Sequence, residues 1–218
     1  MKKLGTTVFE RKVYQEILNW KDAWAPHYAL FLHGADGVGK AALAEKLGRE
    51  TYRSYMVIDF ARIDAEVRKL FVNGLRDLDM LFATLQFVYG TGLYPGERLI
   101  VLDDVQYCSQ ARQALKTLLE DGRFHYIETG MTAAYEKRQD FLIPSKEMKL
   151  DVLPLDFEEF LWTMGDTATV PLLREHWARQ KATGASSASA HFSGVSTVLA
   201  HRGYAAGGRR VCRNPAFG

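Results

Sequence analysis

The chain has 218 residues, enough to bury one sizeable core with an appendage but too few to promise two full domains. Its 28 Lys and Arg against 26 Asp and Glu give a formal net charge of +2, which does not indicate nucleic acid as a partner. Cys108 and Cys212 match no metal-ligand or redox spacing, and no apolar run approaches the roughly 18 residues of a membrane span. Because no signal-peptide core follows Met1 either, we expect a cytoplasmic protein with no membrane partner.

Apolar runs alternate with amphipathic segments along the first 165 residues. In chain order the pattern predicts a helix at 11–24, a strand at 28–32, a helix at 41–50, a strand at 55–60, helices at 63–71 and 78–88, a strand at 99–102, a helix capped by Ser109, and strands at 126–127 and 148–155. Asp156 then caps a short helix over 157–162, with Glu159 three residues on. Buried strands that alternate with amphipathic helices are typical of a parallel sheet covered on both faces. We therefore predict a three-layer α/β fold with a parallel sheet of about five strands.

A glycine-rich segment between the first strand and the second helix fits a phosphate-binding loop. It reads Gly34-Ala35-Asp36-Gly37-Val38-Gly39-Lys40, which is Gly, four residues, Gly and Lys between a strand and a helix. Glycines let successive N–H groups face an anion, the helix N-terminus adds about half a positive charge, and Lys40 reaches the outer phosphates. The alternative is an ordinary glycine-rich turn with a surface lysine. The loop pattern leads us to predict ATP as the ligand. Ala41 stands where Ser or Thr normally ligates Mg²⁺, so we predict a weakened Mg²⁺ site.

Two acidic residues end the third predicted strand. Asp103 and Asp104 follow four apolar residues at 99–102, which places them at the carboxyl tip of the strand beside the phosphate loop. We predict Asp103 as the carboxylate on the metal side. Asp104 stands where a Glu often polarises the attacking water, and its side chain is one methylene shorter. The alternative is a helix cap or a solvated turn.

The chain resembles the AAA-type ATPases, and closely a group of prokaryotic predicted ATPases whose P-loop domain precedes a C-terminal domain of unknown function. The resemblance extends from residue 11 to about residue 177 and is carried by residues 11–20, 34–40, 102–106, 126–130 and 154–162. It implies a P-loop NTPase-like fold, ATP as ligand, and a polar sensor residue at the tip of the fourth strand, where Thr129 is the matching position. An unidentified protein partner and a homo-oligomer stay open. Arg123 and Arg138 could act on a neighbouring subunit's nucleotide, although surface arginines are the simpler interpretation.

Three positions depart from the pattern of that group. Ala41 replaces the loop hydroxyl, Asp104 replaces the usual Glu, and Met131 stands where Ser tends to follow Thr-Gly. These departures favour slow or absent hydrolysis. We predict an ATP-binding AAA-like domain with weak or partner-dependent hydrolysis that drives a conformational switch, with Asp104 and Thr129 as catalytic candidates. The alternatives are a non-hydrolysing nucleotide-binding module and a small-molecule P-loop kinase, which is disfavoured because no arginine-rich lid segment separates the third and fourth strands.

Four regions are expected along the chain. They are an N-terminal helix that packs on the core (1–25), the ATP-binding domain (26–165), the start of a truncated C-terminal helical region (166–180) and a tail (181–218). Ala, Gly and Ser supply 19 of the 38 tail positions, and the tail has no acidic residue. Such a segment buries too little apolar surface to offset its ordering entropy. We expect the tail to be disordered or non-native, the product of a truncation or a frame shift.

Overall fold

The computed structural model describes residues 9–92, 98–131 and 146–179, and the chain divides into two compact units, 1–154 and 155–218. The described elements of the first unit are α1 (Tyr14–Ala23), β1 (Ala29–His33), α2 (Lys40–Thr51), β2 (Ser54–Asp59), α3 (Ala65–Asn73), α4 (Leu78–Tyr89), β3 (Arg98–Asp103), α5 (Ser109–Asp121), β4 (His125–Gly130) and β5 (Glu147–Asp151). Short 3-10 turns lie at Gly74–Arg76 and Val105–Tyr107. In the second unit the described elements are α6 (Phe157–Thr163) and α7 (Thr169–Ala178).

The five described strands form one parallel sheet in the order β2-β3-β4-β1-β5. Because all of them point the same way, the residues that follow them meet at one edge of the sheet. Asp59 at the end of β2 is in register with Asp103 at the end of β3, and Leu32 of β1 is in register with Thr129 of β4. The sheet order therefore brings the predicted phosphate loop, the acidic pair and the sensor position to the same edge.

Apolar side chains cover both faces of this sheet. One face packs against α1 and α2, through the buried residues Ile17, Trp20, Leu30, Leu32, Leu43, Leu47, Leu99, Val101 and Ile127. The opposite face packs against α3, α4 and α5, through Phe31, Ile58, Val67, Phe71, Leu81, Leu85, Ile100, Leu102, Leu115, Leu118 and Tyr126. Alternate residues of each central strand thus enter opposite cores, as strand geometry requires. The predicted three-layer α/β fold with a parallel sheet of about five strands is confirmed.

Most predicted elements lie within about two residues of the observed ones, and three details were wrong. Ser109 is the first residue of α5 rather than its cap, since Cys108, whose backbone is not helical, occupies the cap position and no side chain caps the helix. The last strand ends at Asp151, shortly before Pro154, which has no N–H for a ladder bond. Helix α1 ends at Ala23, so Trp24 leaves the helix and is 47% exposed, with its ring edge-to-face against Tyr28.

The second unit begins with the predicted capping box. The Asp156 carboxylate accepts the Glu159 N–H, and the Glu159 carboxylate accepts the Asp156 N–H, which satisfies two N-terminal donors of α6. Glu158 accepts two hydrogen bonds from Arg174, which joins α6 to α7. The described helices include none with the length and apolarity needed to cross a membrane. Residues 181–218, the predicted tail, lie outside the described residues.

Candidate functional site

The predicted phosphate loop connects β1 to α2 with glycines in conformations that other residues rarely adopt. Gly37 and Gly39 have φ values of 75° and 97°. A Cβ on Gly34 would lie 2.2 Å from the carbonyl oxygen of Val152, so no side chain fits there. Ala35, Asp36 and Gly37 are exposed to solvent. The loop therefore begins in tight contact with the sheet and presents accessible main chain at its tip.

Lys40 is the first residue of α2 and lies folded over this loop. It is 6% exposed, and its Nζ donates hydrogen bonds to the carbonyl oxygens of Gly34 at 3.2 Å and Ala35 at 2.7 Å. Burial lowers the pKa of Lys40, and Asp104, Asp36 and Asp103 oppose that shift. The ammonium is thus held where the strand, the loop and the helix meet. Ala41 follows and offers no hydroxyl.

The hydroxyl of Thr129 links the two acidic residues. Thr129 is fully buried; its hydroxyl donates to Asp103 Oδ1 and accepts the Asp104 N–H at 3.0 Å. Burial raises the pKa of Asp103, the bond from Thr129 lowers it, and the negative charges of Asp104 and Asp59 raise it further. The structure therefore brings together three residues that sequence reasoning assigned separate roles.

Asp104 has an unusual backbone conformation that a second side chain supports. Its φ is 55°, and among the described residues Asp104 alone has a positive φ without being a glycine. Asp tolerates this conformation better than most residues do. Gln106 is buried, and its Nε2 donates to Asp104 Oδ1 at 2.9 Å. Sequence reasoning missed Gln106. The available signal was its place two residues after Asp104, within reach of the same turn.

Asp59 supplies a third carboxylate beside this pair. Ligand oxygens of Asp59, Asp103 and Asp104 all lie within 4.8 Å of one another. Sequence reasoning did not single out Asp59, although it ends a buried strand as Asp103 does. Carboxylate oxygens are the ligands that Mg²⁺ prefers, so the donor chemistry of this set fits the ion.

Arg123 contacts two carboxylates and one aromatic ring of the first unit. Its Nε donates to Asp121 at 2.8 Å, its Nη1 contacts Asp79, and its guanidinium lies 4.8 Å from the centre of the Phe82 ring. These contacts join the end of α5 to α4 and give Arg123 a structural role. Arg138 lies outside the described residues.

Comparisons with known proteins identify the family of the chain. Residues 26–161 match a family described as an AAA domain. Similar solved structures include domain III of the Thermotoga maritima replication initiation protein DnaA (15% identity, TM-score 0.42, 80% of this chain and 71% of that chain) and C. elegans PCH-2 (12% identity, TM-score 0.39, 75% and 45%). A search of curated proteins found no match. Because the family match covers more than half of the chain, the protein belongs to the AAA domain family and is a nucleotide-binding, AAA-like module.

Proposed function

We propose that residues 34–41 bind ATP and that the protein hydrolyses it weakly, or only with a protein partner, so that the nucleotide state drives a conformational switch. The observation that carries this proposal is the position of Lys40, buried over the loop and hydrogen bonded to its first two carbonyls. An ammonium held there serves the outer phosphates, and the loop N–H groups and the N-terminus of α2 add to the attraction for an anion.

Asp103, with Asp104 and Asp59 beside it, would hold Mg²⁺. When bound, the ion neutralises negative charge on the phosphates. Ala41 removes one ligand from the loop side, and a water molecule can take that position. Metal binding would then rest on the carboxylates of the neighbouring strands. Because the loop that binds ATP would not itself hold the ion, we expect ATP binding to depend only weakly on Mg²⁺.

The hydrogen bonds of Asp104 and Thr129 support weak hydrolysis. The Asp104 carboxylate, our candidate for orienting the attacking water, already accepts a bond from Gln106 and is shorter than Glu. The Thr129 hydroxyl donates its proton to Asp103, so Thr129 must give up that bond before it can donate to a phosphate. Catalysis would thus require rearrangement of this set of bonds, which a protein partner could favour. The same contacts favour a non-hydrolysing nucleotide-binding module as the second candidate.

The kinase alternative is weaker because both arginines between β3 and β4 have structural partners. Arg112 forms a buried ion pair with Glu147 and lies 3.5 Å from Glu128. Arg123 pairs with Asp121 and Asp79. Neither arginine is placed to move with a lid over a second substrate.

An ATP titration with and without Mg²⁺, together with the rate of phosphate release, tests the proposal. We expect saturable ATP binding that persists without the metal and phosphate release far below one turnover per second, the low end of ordinary enzymes. Saturable binding with no phosphate release would favour the non-hydrolysing module. Brisk hydrolysis would contradict the claim that the departures impair catalysis, and no binding would contradict the assignment of the phosphate loop.

A further inference from the structure

Arg11 contacts the phosphate loop from the segment that precedes α1. Its Nη1 donates to the carbonyl oxygen of Val38 at 2.9 Å, and its Nη2 donates to the carbonyl oxygen of Leu153. These acceptors lie 27 and 142 residues from Arg11 along the chain. One side chain therefore joins the N-terminal segment, the phosphate loop and the segment that follows β5.

The segment that follows β5 also contacts the beginning of the loop. The Val152 N–H donates to the carbonyl oxygen of His33 at 2.8 Å, and the Val152 carbonyl lies so close to Gly34 that no Cβ fits between them. Residues 152–153 thus support the loop at both ends. They contact Gly34 directly and reach Val38 through the guanidinium of Arg11.

The geometry of the peptide group gives the contact at Val38 a consequence for ligand binding. The carbonyl of Val38 and the N–H of Gly39 belong to one planar trans peptide, so the two groups point in opposite directions. Arg11 holds the carbonyl on one side, which directs the Gly39 N–H to the other side. Gly39 directly precedes Lys40 and has a left-handed backbone. Because glycine has no Cβ, sterics alone do not hold this residue in one conformation. An external contact therefore has most to fix at this peptide.

We propose that Arg11 is a positioning residue for the phosphate loop: it fixes the Val38–Gly39 peptide before ATP arrives, so that the Gly39 N–H already faces the position that a phosphate will occupy. The inference rests on the proposed ATP-binding function of the same loop. Its guanidinium also places a permanent positive charge behind the loop. Without Arg11, ordering of this peptide would have to accompany binding, which weakens affinity.

The test measures the Kd for ATP of the full chain with Arg11→Ala and Arg11→Lys, with Lys12→Ala as the matched control. Lys12 is exposed and adjacent to Arg11. Both side chains carry one positive charge, so either substitution to Ala changes the net charge by the same amount. We expect Arg11→Ala to raise Kd about tenfold, the effect of about one lost hydrogen bond to a charged group. Arg11→Lys should give an intermediate value because an ammonium satisfies one carbonyl less rigidly than the planar guanidinium satisfies two. Lys12→Ala should bind as the unmodified protein does.

Thermal unfolding without nucleotide shows whether a variant that binds ATP weakly is still folded. This measurement separates a positioning role of Arg11 from a role in general stability. If Arg11→Ala does not fold, Arg11→Lys alone decides, and affinity equal to that of Lys12→Ala overturns the inference. Lys40→Ala, measured in parallel, reports on the proposed function itself. Weakened ATP binding in Lys40→Ala with unaltered binding in both Arg11 variants would overturn only the role of Arg11. Unaltered binding in Lys40→Ala would instead overturn the phosphate-loop assignment.

Discussion

Two charged clusters of the first unit involve neighbouring residues of β4 and differ in what surrounds them. The edge cluster contains Lys40, Asp59, Asp103 and Asp104 at the carboxyl end of the sheet, where Asp103 and Asp104 contact Thr129. The buried cluster contains Arg112, Glu128 and Glu147, whose side chains are at most 3% exposed. The edge cluster adjoins exposed loop residues, whereas the buried cluster has its counter-charges inside the protein.

The comparison shows how ionic groups of similar composition serve different purposes. Arg112 reaches from α5 over the Phe31 ring of β1, with its guanidinium carbon 4.6 Å from the ring centre, to Glu147 of β5 and toward Glu128 of β4. It therefore joins three adjacent strands to one helix. In the edge cluster the Lys40 Nζ donates to two neutral carbonyl oxygens, which are weak acceptors that a phosphate oxygen can replace.

The largest effect on the buried cluster should come from Arg112→Met. We expect it to lower the free energy of unfolding by about 3–5 kcal/mol, because it leaves buried carboxyl groups without their cation. Denaturant unfolding measures the change. Arg62→Met is the control, since its side chain is 88% exposed and should contribute less than about 0.5 kcal/mol. Equal stability of the two variants would contradict a structural role for the buried cluster.

Lys40→Ala tests the edge cluster. A lost charge-assisted contact is worth about 1.5–3 kcal/mol, so the Kd for ATP should rise roughly ten- to hundredfold. Stability should fall less than in Arg112→Met, because removal of Lys40 also removes a charge that is unfavourably buried. Titration with ATP and denaturant unfolding provide the two measurements. Lys69→Ala on the exposed side of α3 is the control, and an ATP affinity in Lys40→Ala equal to that control would refute the assignment.

The buried cluster should also make stability depend on pH. Burial raises the pKa of Glu128 from an ordinary value of 4.5 to about 8. The positive charge of Arg112 opposes this rise in pKa, and the negative charge of Glu147 adds to it. The folded state then binds the proton more tightly, so the contribution of Glu128 is complete below about pH 4.5 and is lost as pH rises through about 8. The slope is at most about 1.4 kcal/mol per pH unit.

Glu128→Gln removes this titration while it keeps the shape of the side chain. The unfolding free energy of the variant should therefore change less between about pH 5 and about pH 8 than that of the unmodified protein. Glu66→Gln, at an exposed position of α3, should retain the original dependence. Identical pH slopes in the unmodified protein and Glu128→Gln would show that another group titrates in this range.

The smallest effect is expected from Ala41→Thr. The added hydroxyl should strengthen the dependence of ATP binding on Mg²⁺ several-fold and leave metal-free binding nearly unchanged, because it acts through the ion. If Asp104 still places a water molecule, phosphate release should also increase. If the shorter carboxylate is the main defect, phosphate release should increase only when Asp104→Glu is added. ATP titrations with and without Mg²⁺ measure the first effect, and an unchanged Mg²⁺ dependence would contradict it.

Much of the fold and part of the edge cluster could be predicted from local sequence patterns. Each buried strand is a short apolar run, and the phosphate loop and Asp103-Asp104 directly follow such runs. The position of Trp24 could not be predicted in this way, because helical spacing continues past the point where the helix ends. The prediction of Ser109 as a cap was wrong for a related reason, since the non-helical residue at the cap position of α5 is Cys108.

The contacts that sequence reasoning missed depend on which strands become neighbours. Asp59 meets Asp103 because β2 pairs with β3, and Glu147 faces Arg112 because β5 pairs with β1. Arg11 reaches Val38 across 27 residues, although the resemblance to AAA-type ATPases already included Arg11 without giving it a role. Periodicity identifies strands but not their order in the sheet, so these side chains could not be placed near one another in advance.

The way in which Gly34 is built into the sheet has a consequence for amide hydrogen exchange. The Gly34 N–H donates to the carbonyl oxygen of Gly130 at 3.3 Å, at the carboxyl ends of the neighbouring strands β1 and β4. Exchange of this N–H should therefore require these two strands to separate there. Ala35, Asp36 and Gly37 are exposed residues, and we expect their N–H groups to exchange rapidly in the free protein. Protection gained on nucleotide binding would therefore begin sharply after Gly34, and that boundary would separate the part of the loop built into the sheet from the part ordered by its ligand.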